Sequence, residues 1–366
     1  MISDKLSPMK SWKVGDKISF CLGADVGGSG IRFCVTNFHD PRQKIEPGHM
    51  KTKNVHEFYK VISDFSKAIQ SVAPGAECLG SSFACAGLRK GNTVQVMNWS
   101  GSAEDQTIKI PEIDRTLFPP NHSVMMNDLE AGAYGIVSLS EMKESDQYFT
   151  KLWGPKSGSI ISDKGHTIVL AMGSGLGAAL VHHDIWTNTT VVIPTETGFL
   201  LSSPRGIDHP TYKEDVGNIN YVSDHYYQGK NAPCFEDLAS GRGLVIDYDY
   251  LIGRPSGWTA IQIVEQAKKG DAKAKLAMKK HYIYFLRAAK QIAYGMNCKS
   301  VVMALSNQVA NKWLIDEIHK SLEHEFKDTT AWKATQGISV FSQTKDINVN
   351  MIGTNYMAHF AARNKV

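Results

Sequence analysis

Two glycine-rich segments carry residue types that phosphoryl transfer requires. They are Asp25-Val26-Gly27-Gly28-Ser29-Gly30 and Gly173-Ser174-Gly175-Leu176-Gly177. Glycine lets backbone N–H groups approach anionic oxygens, Ser29 and Ser174 offer hydroxyls, and Asp25 offers a carboxylate that can hold hydrated Mg²⁺. An ordinary tight turn without a ligand remains an alternative for both segments. The second segment also matches the dinucleotide-binding pattern G-x-G-x-x-A, but the apolar residues after it predict a strand where that pattern needs a helix.

Carboxylates in three further segments could bind or activate hydroxyl groups. Asp128, in Met125-Met126-Asn127-Asp128, follows an apolar run and can accept a proton from a hydroxyl that attacks phosphorus, while Asn127 can bind neighbouring hydroxyls. An Asn-Asp pair at such a place is also typical of a turn or a helix N-cap. Two glutamates, in Pro194-Thr195-Glu196-Thr197-Gly198 and Phe235-Glu236-Asp237-Leu238-Ala239-Ser240-Gly241, can accept hydrogen bonds from sugar hydroxyls. Either glutamate alone is equally typical of a solvated surface.

Short apolar runs alternate with helical patterns, and these elements must position the segments above. Apolar runs on both sides of each glycine segment, at 18–24 and 31–36 and at 168–172 and 178–181, predict two β-hairpins. Runs at 79–84, 93–97 and 124–126 predict further strands of the first hairpin's sheet, and the Gly-, Ser- and Lys-rich segment 151–164 predicts a surface loop. Strands that alternate with helices predict the α/β class, and the similarity of the hairpins indicates two related domains.

The composition argues against several classes of function. The formal net charge is +4 over 366 residues, and no basic block is interleaved with aromatic residues, so we expect no nucleic-acid partner. No apolar run reaches the ~18 residues of a membrane span, and the N-terminal segment lacks the apolar core of a secretory signal. The six cysteines form no Cys-x-x-Cys pair, which favours core packing in a reducing compartment. We therefore expect a cytoplasmic protein without zinc or a membrane partner.

The order of the motifs resembles that of the bacterial-type glucokinases, which also occur in some protists and belong to the hexokinase/actin-like ATPase superfamily. That family shows Asp-x-Gly-Gly-Thr, Asn-Asp, Gly-Thr-Gly-Leu-Gly, Pro-x-Glu-x-Gly-His and Glu-x-x-x-Ser-Gly in this order. The resemblance covers about residues 20–361. It implies two actin/hexokinase-like (ribonuclease H-like) α/β domains flanking a cleft: a small one of residues 18–138 plus 351–366, and a large one of residues 139–350.

The resemblance also implies a role for each matching residue. The general base is Asp128, and the sugar ligands are Asn98, Asn127, Glu196 and Glu236. The ATP phosphates are bound by Asp25, Gly27, Gly28, Ser29, Gly173, Ser174, Gly175 and Gly177, and Asp25 also holds Mg²⁺ through water. This chain departs from the family at three places. Serine replaces threonine in both hairpins, Phe199 replaces a sugar-binding histidine, and Leu305-Ser306-Asn307-Gln308 replaces an adenosine-side Gly-Gly pair.

The resemblance thus predicts a homodimeric glucokinase that transfers the γ-phosphoryl group of ATP, with Mg²⁺, to the C6 hydroxyl of glucose for glycolysis. A kinase for another hexose or an amino sugar is one alternative. A sensor that binds sugar without turning it over is another, which the altered adenosine-side segment keeps open. Retention of Asp25, Ser29, Asp128 and Ser174 argues against the sensor.

Overall fold

The chain divides into two compact units, each with its own hydrophobic core. The first unit is Met1–Met142 with Asn348–Val366, and the second is Lys143–Ile347. The structure is a computed structural model, and it describes residues 2–96, 99–330 and 332–365. No described helix is both long enough and apolar enough to span a lipid bilayer.

The sheet of the first unit carries the first glycine hairpin. Its five strands are β1 (Ser19–Gly27), β2 (Gly30–Asn37), β3 (Lys44–Met50), β4 (Glu77–Cys85) and, later in the chain, a strand at Ser123–Met126. Three short strands, β5 (Leu88–Lys90), β6 (Thr93–Gln95) and β7 (Thr107–Lys109), precede that fifth strand, which is therefore β8. The order in the sheet is β3-β2-β1-β4-β8, where β1, β2 and β3 are antiparallel neighbours and β1, β4 and β8 run parallel.

The expectation that segment 93–97 belongs to this sheet is wrong. Strand β6 pairs with β5 and β7 in a separate three-stranded sheet. The turn at Gly91, where φ is +58°, sends the chain back along β5, so β5 and β6 pair as a local hairpin. A short apolar run predicts a strand but does not specify its partner.

In the part of the first unit that the structure describes, the α-helices are four: α1 (Ile2–Leu6), α2 (Val55–Val72), α3 (Asp128–Glu141) and the last helix of the chain (Val349–Arg363). The side chain of Asn54 accepts a hydrogen bond from the Glu57 N–H at 2.9 Å and so caps α2. The C-terminal helix packs against α3, β1 and β4. It therefore supports β1, the strand that carries Asp25, and α3, the helix that begins at Asp128.

The second unit repeats the strand arrangement of the first. Its strands are β9 (Phe149–Trp153), β10 (His166–Met172), β11 (Leu176–Asp184), β12 (Thr189–Thr195), β13 (Cys298–Ala304) and β14 (Ser339–Gln343), in the order β12-β11-β10-β13-β14-β9. As in the first unit, three consecutive antiparallel strands, here β10, β11 and β12, form one side of the sheet, and two parallel strands, β13 and β14, extend the other. Among the described residues, the five-stranded sheet of the first unit has no counterpart of β9, which pairs antiparallel with β14. The α/β class predicted from the sequence is confirmed.

Strand β9 corrects the prediction of a surface loop over 151–164. Lys151–Trp153 belongs to β9, which pairs antiparallel with β14 at the edge of the sheet. Phe149 and Trp153 are buried and anchor this strand. The Gly-, Ser- and Lys-rich composition that predicted a loop belongs mainly to the remaining residues, 154–164.

The described residues of the second unit form seven α-helices: α4 (Tyr212–Tyr227), α5 (Gly241–Ile252), α6 (Ala260–Lys268), α7 (Ala272–Gly295), α8 (Ser306–Ala310), α9 (Lys312–Lys327) and α10 (Trp332–Thr335); the C-terminal helix is then α11. The Ser240 side chain caps α5 by accepting from the Gly243 N–H at 3.2 Å. Ser240 belongs to the Glu-x-x-x-Ser-Gly motif, so this serine starts the helix that follows Glu236.

Candidate active site

The first glycine hairpin is formed by β1 and β2. Gly27 pairs with Gly30, which leaves Gly28 and Ser29 at the tip of the turn. Gly30 has φ +145°, and a Cβ there would collide with the Met50 carbonyl oxygen, so this position requires glycine. A Cβ on Gly27 would meet no atom within 4 Å. The exposed tip therefore has open space beside its backbone.

Asp25 lies on β1, two residues before this turn. Its side chain is only 13% exposed, with Arg32 Nη1 at 3.5 Å from Oδ2. The side-chain amide of Asn348, the N-cap residue of α11, donates to the same oxygen at 3.4 Å. Burial raises the pKa of the Asp25 carboxyl above its usual range, against the opposing effects of Asn348 and Arg32, and the charge of Asp128 adds to the rise.

Asn127 and Asp128 stand where β8 ends and α3 begins. Asn127 is the N-cap of α3: its Oδ1 accepts from the Glu130 N–H at 2.5 Å, and the Glu130 carboxylate accepts from the Asn127 N–H at 3.2 Å. The N-cap interpretation is therefore correct for Asn127, and it leaves the amide nitrogen to donate. Asp128 Oδ1 accepts from the Leu129 N–H at 3.0 Å, and burial raises the pKa of Asp128.

The strand register brings Asp25 and Asp128 to the same edge of the sheet. Asp25 is paired with Ala84 on β4, and Ala84 is paired with Met126 on β8. Since neighbouring strands lie about 4.8 Å apart, Asp25 and Met126 are separated by about 10 Å across one strand. Asp25 near the end of β1 and Asp128 just after β8 thus both lie at the carboxyl ends of parallel strands, where α/β sheets commonly bind ligands.

The second glycine hairpin joins β10 and β11. Met172 pairs with Leu176, and the Gly173 N–H donates to the Gly175 carbonyl at 2.8 Å, which closes the turn. Ser174 is exposed at its tip, and Gly177 is half-buried on β11. A Cβ on Gly173 would meet no atom within 4 Å. This turn therefore has open space at Gly173, as the first hairpin has at Gly27.

Glu236 contacts this hairpin directly. Its carboxylate Oε2 accepts from the Leu176 N–H at 3.0 Å. Its own N–H donates to the Gly198 carbonyl at 2.9 Å, and a Cβ on Gly198 would collide with the Leu176 carbonyl oxygen. Farther along the same motif, the Gly241 N–H donates to the Gly173 carbonyl at 2.8 Å. Three motifs that are separated in the sequence therefore meet at one turn.

The turn that carries Glu236 is fixed by its neighbour, Asp237. This carboxylate is buried and accepts from the Tyr227 hydroxyl at 2.8 Å, from the Cys234 N–H at 2.9 Å and from the Arg242 guanidinium. Sequence reasoning missed Asp237. Its only signal was the acidic pair Glu236-Asp237, which does not indicate that the second carboxylate is buried.

The segment around Glu196 is more open. Glu196 is exposed, and its backbone carbonyl accepts from the Phe199 N–H at 3.1 Å in a short 3-10 turn over Thr197–Phe199. The Phe199 ring is 61% exposed. Gly198, two residues after Glu196, accepts a hydrogen bond from the Glu236 N–H. Both glutamates therefore lie in one region of the second unit. Asn98, the remaining predicted sugar ligand, lies outside the described residues.

The adenosine-side segment departs from ordinary backbone geometry. Leu305 has φ +76° and ψ 170°, a region that glycine occupies almost alone, and its N–H donates to Gln343 Oε1 at 2.8 Å. The Asn307 side chain donates to the Met172 carbonyl at 2.7 Å, which ties this segment to the second hairpin. Gln308 is fully buried, and neither polar atom of its side chain has a partner among the described residues. Sequence reasoning flagged this segment but not its strain.

Known proteins match this chain along nearly its whole length. The family model described as Glucokinase matches residues 22–305. "Glucokinase 1" of Trichomonas vaginalis is 40% identical over 368 residues, covering 98% of each chain, and "Probable glucokinase 2" of the same organism is 37% identical over 365 residues, covering 97% of each. The crystal structure of glucokinase from Balamuthia mandrillaris in complex with glucose is 29% identical, with a TM-score of 0.86 and 98% of each chain covered. The family model covers most of the chain and these relatives nearly all of it, and the chain belongs to the glucokinase family.

Proposed function

We propose that this chain, an ATP-dependent hexose kinase, transfers the γ-phosphoryl group of ATP to the C6 hydroxyl of glucose and releases glucose 6-phosphate and ADP. The observation that carries the proposal is the pair of half-buried carboxylates, Asp25 and Asp128, at one edge of the first unit's sheet. Asp25 can hold the metal of the metal–nucleotide complex, and Asp128 can accept the proton of the attacking hydroxyl. The glucose complex of the Balamuthia glucokinase supports the choice of sugar.

Asp128 is the proposed general base. Its carboxylate accepts the proton of the C6 hydroxyl as that oxygen attacks the γ-phosphorus and the bond to the ADP oxygen breaks. Burial raises the pKa of Asp128, which makes the carboxylate a stronger base than an exposed aspartate. The Leu129 N–H holds Oδ1 at 3.0 Å, so the base is fixed in direction at the start of α3.

The hairpins are proposed to bind the phosphates through Gly27, Gly28, Ser29, Gly173, Ser174 and Gly177. Gly175, which the resemblance also assigns to the phosphates, faces the Glu236 carboxylate. Asp25 fits a site for hydrated Mg²⁺, because hard cations prefer carboxylate oxygen and this half-buried carboxyl lies in the field of a second one. Among the described residues no three His, Cys, Asp or Glu side chains are arranged to hold a metal. Water and phosphate oxygens would supply the other ligands. When bound, Mg²⁺ would neutralise charge on the transferred group.

Sugar hydroxyls are proposed to contact Asn98, Asn127, Glu196 and Glu236. Asn127 Oδ1 already caps α3, so its Nδ2 is the atom we assign to the sugar. The cytoplasmic location, the homodimer and the domain bounds of residues 18–138 plus 351–366 and 139–350 belong to the same proposal. All six cysteines lie in the described part of the chain and are free thiols, which supports a reducing compartment. The homodimer is supported by the family resemblance alone.

A coupled assay of ADP release against a panel of hexoses and amino sugars tests this function. We expect turnover with glucose, and in Asp128→Asn an intact fold with turnover lower by ~10²–10⁴, the usual contribution of a positioned base. Near-wild-type turnover in that variant would exclude Asp128 as the base. Preference for another sugar would change the substrate assigned here, and glucose binding without ADP release would indicate a sensor.

A further inference from the structure

The Leu176 peptide unit joins the phosphate hairpin to the two segments that carry the sugar-binding glutamates. Its N–H donates to Glu236 Oε2 at 3.0 Å, and its carbonyl lies against the Cα of Gly198. Leu176 is buried and is held on β11 by its neighbours in the sheet. A backbone N–H on a rigid strand is a fixed donor, and its bond to a carboxylate is charge-assisted. The hairpin therefore fixes the direction of the Glu236 carboxylate.

Two glycines of this hairpin have different surroundings. A Cβ on Gly173 would meet no atom within 4 Å, as expected where a ligand approaches the backbone. A Cβ on Gly175 would lie 2.7 Å from Glu236 Oε2 and 3.3 Å from its Cδ. A glycine that only admitted phosphate would face open space, whereas Gly175 faces the carboxylate. The space left by its missing side chain is occupied by Glu236.

We propose that the second glycine hairpin positions Glu236 for sugar binding, so that Gly175 sets the affinity for glucose rather than for ATP. The proposal rests on the proposed function, because it takes Glu236 as a sugar ligand. Leu176 N–H holds Oε2, which directs Oε1 toward a sugar hydroxyl. Gly175 is then a positioning residue of the sugar site, and Gly173 keeps the role of a phosphate-binding residue.

The variant Gly175→Ala tests the proposal without threatening the fold. Gly175 is not among the residues with positive φ, so alanine suits its backbone. The added Cβ meets only the end of a flexible side chain, which can move aside. We expect the Glu236 carboxylate to leave the Leu176 N–H, with glucose affinity about ten- to a hundredfold lower, as the loss of one charge-assisted hydrogen bond requires. The KM for ATP should stay within about threefold.

The matched control is Gly173→Ala in the same hairpin. Its Cβ enters the space assigned to phosphate and does not touch Glu236, so we expect a higher KM for ATP and unchanged glucose affinity. Glucose affinity is measured by calorimetry on the full chain without nucleotide, and KM for ATP by coupled ADP release. Unfolding midpoints show that both variants fold. Equal effects of both variants on ATP alone would overturn the proposal.

A double-mutant cycle separates this inference from the proposed function. If Gly175 acts through Glu236, Gly175→Ala should weaken glucose binding no further once Glu236→Ala is present. An additive effect in the double variant would refute the positioning role. If Glu236→Ala alone leaves glucose affinity unchanged, the sugar site itself is misassigned. If Glu236→Ala weakens binding but Gly175→Ala does not, only the inference fails.

Discussion

Asp247 on α5 is a fully buried carboxyl whose surroundings favour its neutral form. The Asn218 side-chain amide on α4 donates to Oδ1 at 2.5 Å, whereas Asp247 Oδ2 and Asn218 Oδ1 have no partner among the described residues. Burial raises the pKa of Asp247 to about 7, against the opposing effects of Asn218 and Lys280, and Glu214 adds to the rise. A proton on Oδ2 supplies the donor that this pair of oxygens otherwise lacks.

The direction of the shift fixes the pH dependence of stability. The native carboxyl has a pKa of about 7, against 3.8 in the unfolded chain, so the native state binds this proton more tightly. The stabilisation that this proton gives to the native state is complete below pH 3.8 and decreases as the pH rises to about 7. Above that pH it has been lost and does not change further. The difference between these two pKa values, 3.8 and about 7, corresponds to about 4 kcal/mol of unfolding free energy in all. About 1.4 kcal/mol of this stabilisation, the equivalent of about one pKa unit, is already lost when the pH reaches 5. The remaining loss, about 3 kcal/mol, takes place between pH 5 and pH 8.

The variant Asp247→Asn isolates this contribution, because asparagine has nearly the same shape and stays neutral. We expect its advantage in unfolding free energy over the wild type to grow by about 3 kcal/mol from pH 5 to pH 8. Denaturant unfolding at four or five pH values measures it. Asp224→Asn, at an exposed position of α4, removes the same charge without the burial and serves as the control. An Asp247→Asn advantage that does not change with pH would refute the reasoning.

Two further predictions concern positions where this chain departs from the family pattern. At Leu305, with φ +76°, we expect Leu305→Gly to be more stable than Leu305→Ala by about 1–2 kcal/mol in denaturant unfolding, because only glycine is unstrained there. The usual order, with alanine the more stable, would show that this backbone is not strained. At Phe199, whose ring is 61% exposed, Phe199→His should strengthen glucose binding by ~0.5–1.5 kcal/mol, the contribution of one neutral hydrogen bond. Calorimetry that shows equal or weaker binding in the histidine variant would place this side chain away from the sugar.

The sequence predicted those parts of the fold that depend on local pattern. Both glycine hairpins form at the expected residues, and helix α3 begins at the Asn-Asp pair, because strand runs, glycine turns and capping residues act over a few neighbours. Strand partners were less predictable: β6 left the main sheet, and β9 joined the other sheet from a segment expected to be a loop. Partner choice depends on contacts between distant residues, which a single local window does not contain.

The candidate site shows the same division. Asp25, Asp128 and the hairpin serines were chosen as candidates from residue type and position, but the buried Asp237 and the strained Leu305 were not predicted as such. Burial of the Asp237 carboxylate depends on Tyr227 and Arg242, which contact it from α4 and α5. The φ of Leu305 depends on Gln343 at the end of β14. Each is a consequence of tertiary packing that overrides local preference.

The motifs of the second unit are weak signals alone and strong together for a physical reason. The Gly198 Cα lies against the Leu176 carbonyl, Gly175 faces Glu236, and the Gly241 N–H donates to the Gly173 carbonyl. A side chain at Gly198 would collide with the Leu176 carbonyl, and one at Gly175 would displace the Glu236 carboxylate, so each glycine makes room for a residue of another motif. The three motifs therefore form one connected structure rather than three independent sites. Their occurrence together and in the correct order indicates this structure far more specifically than a single glycine turn does.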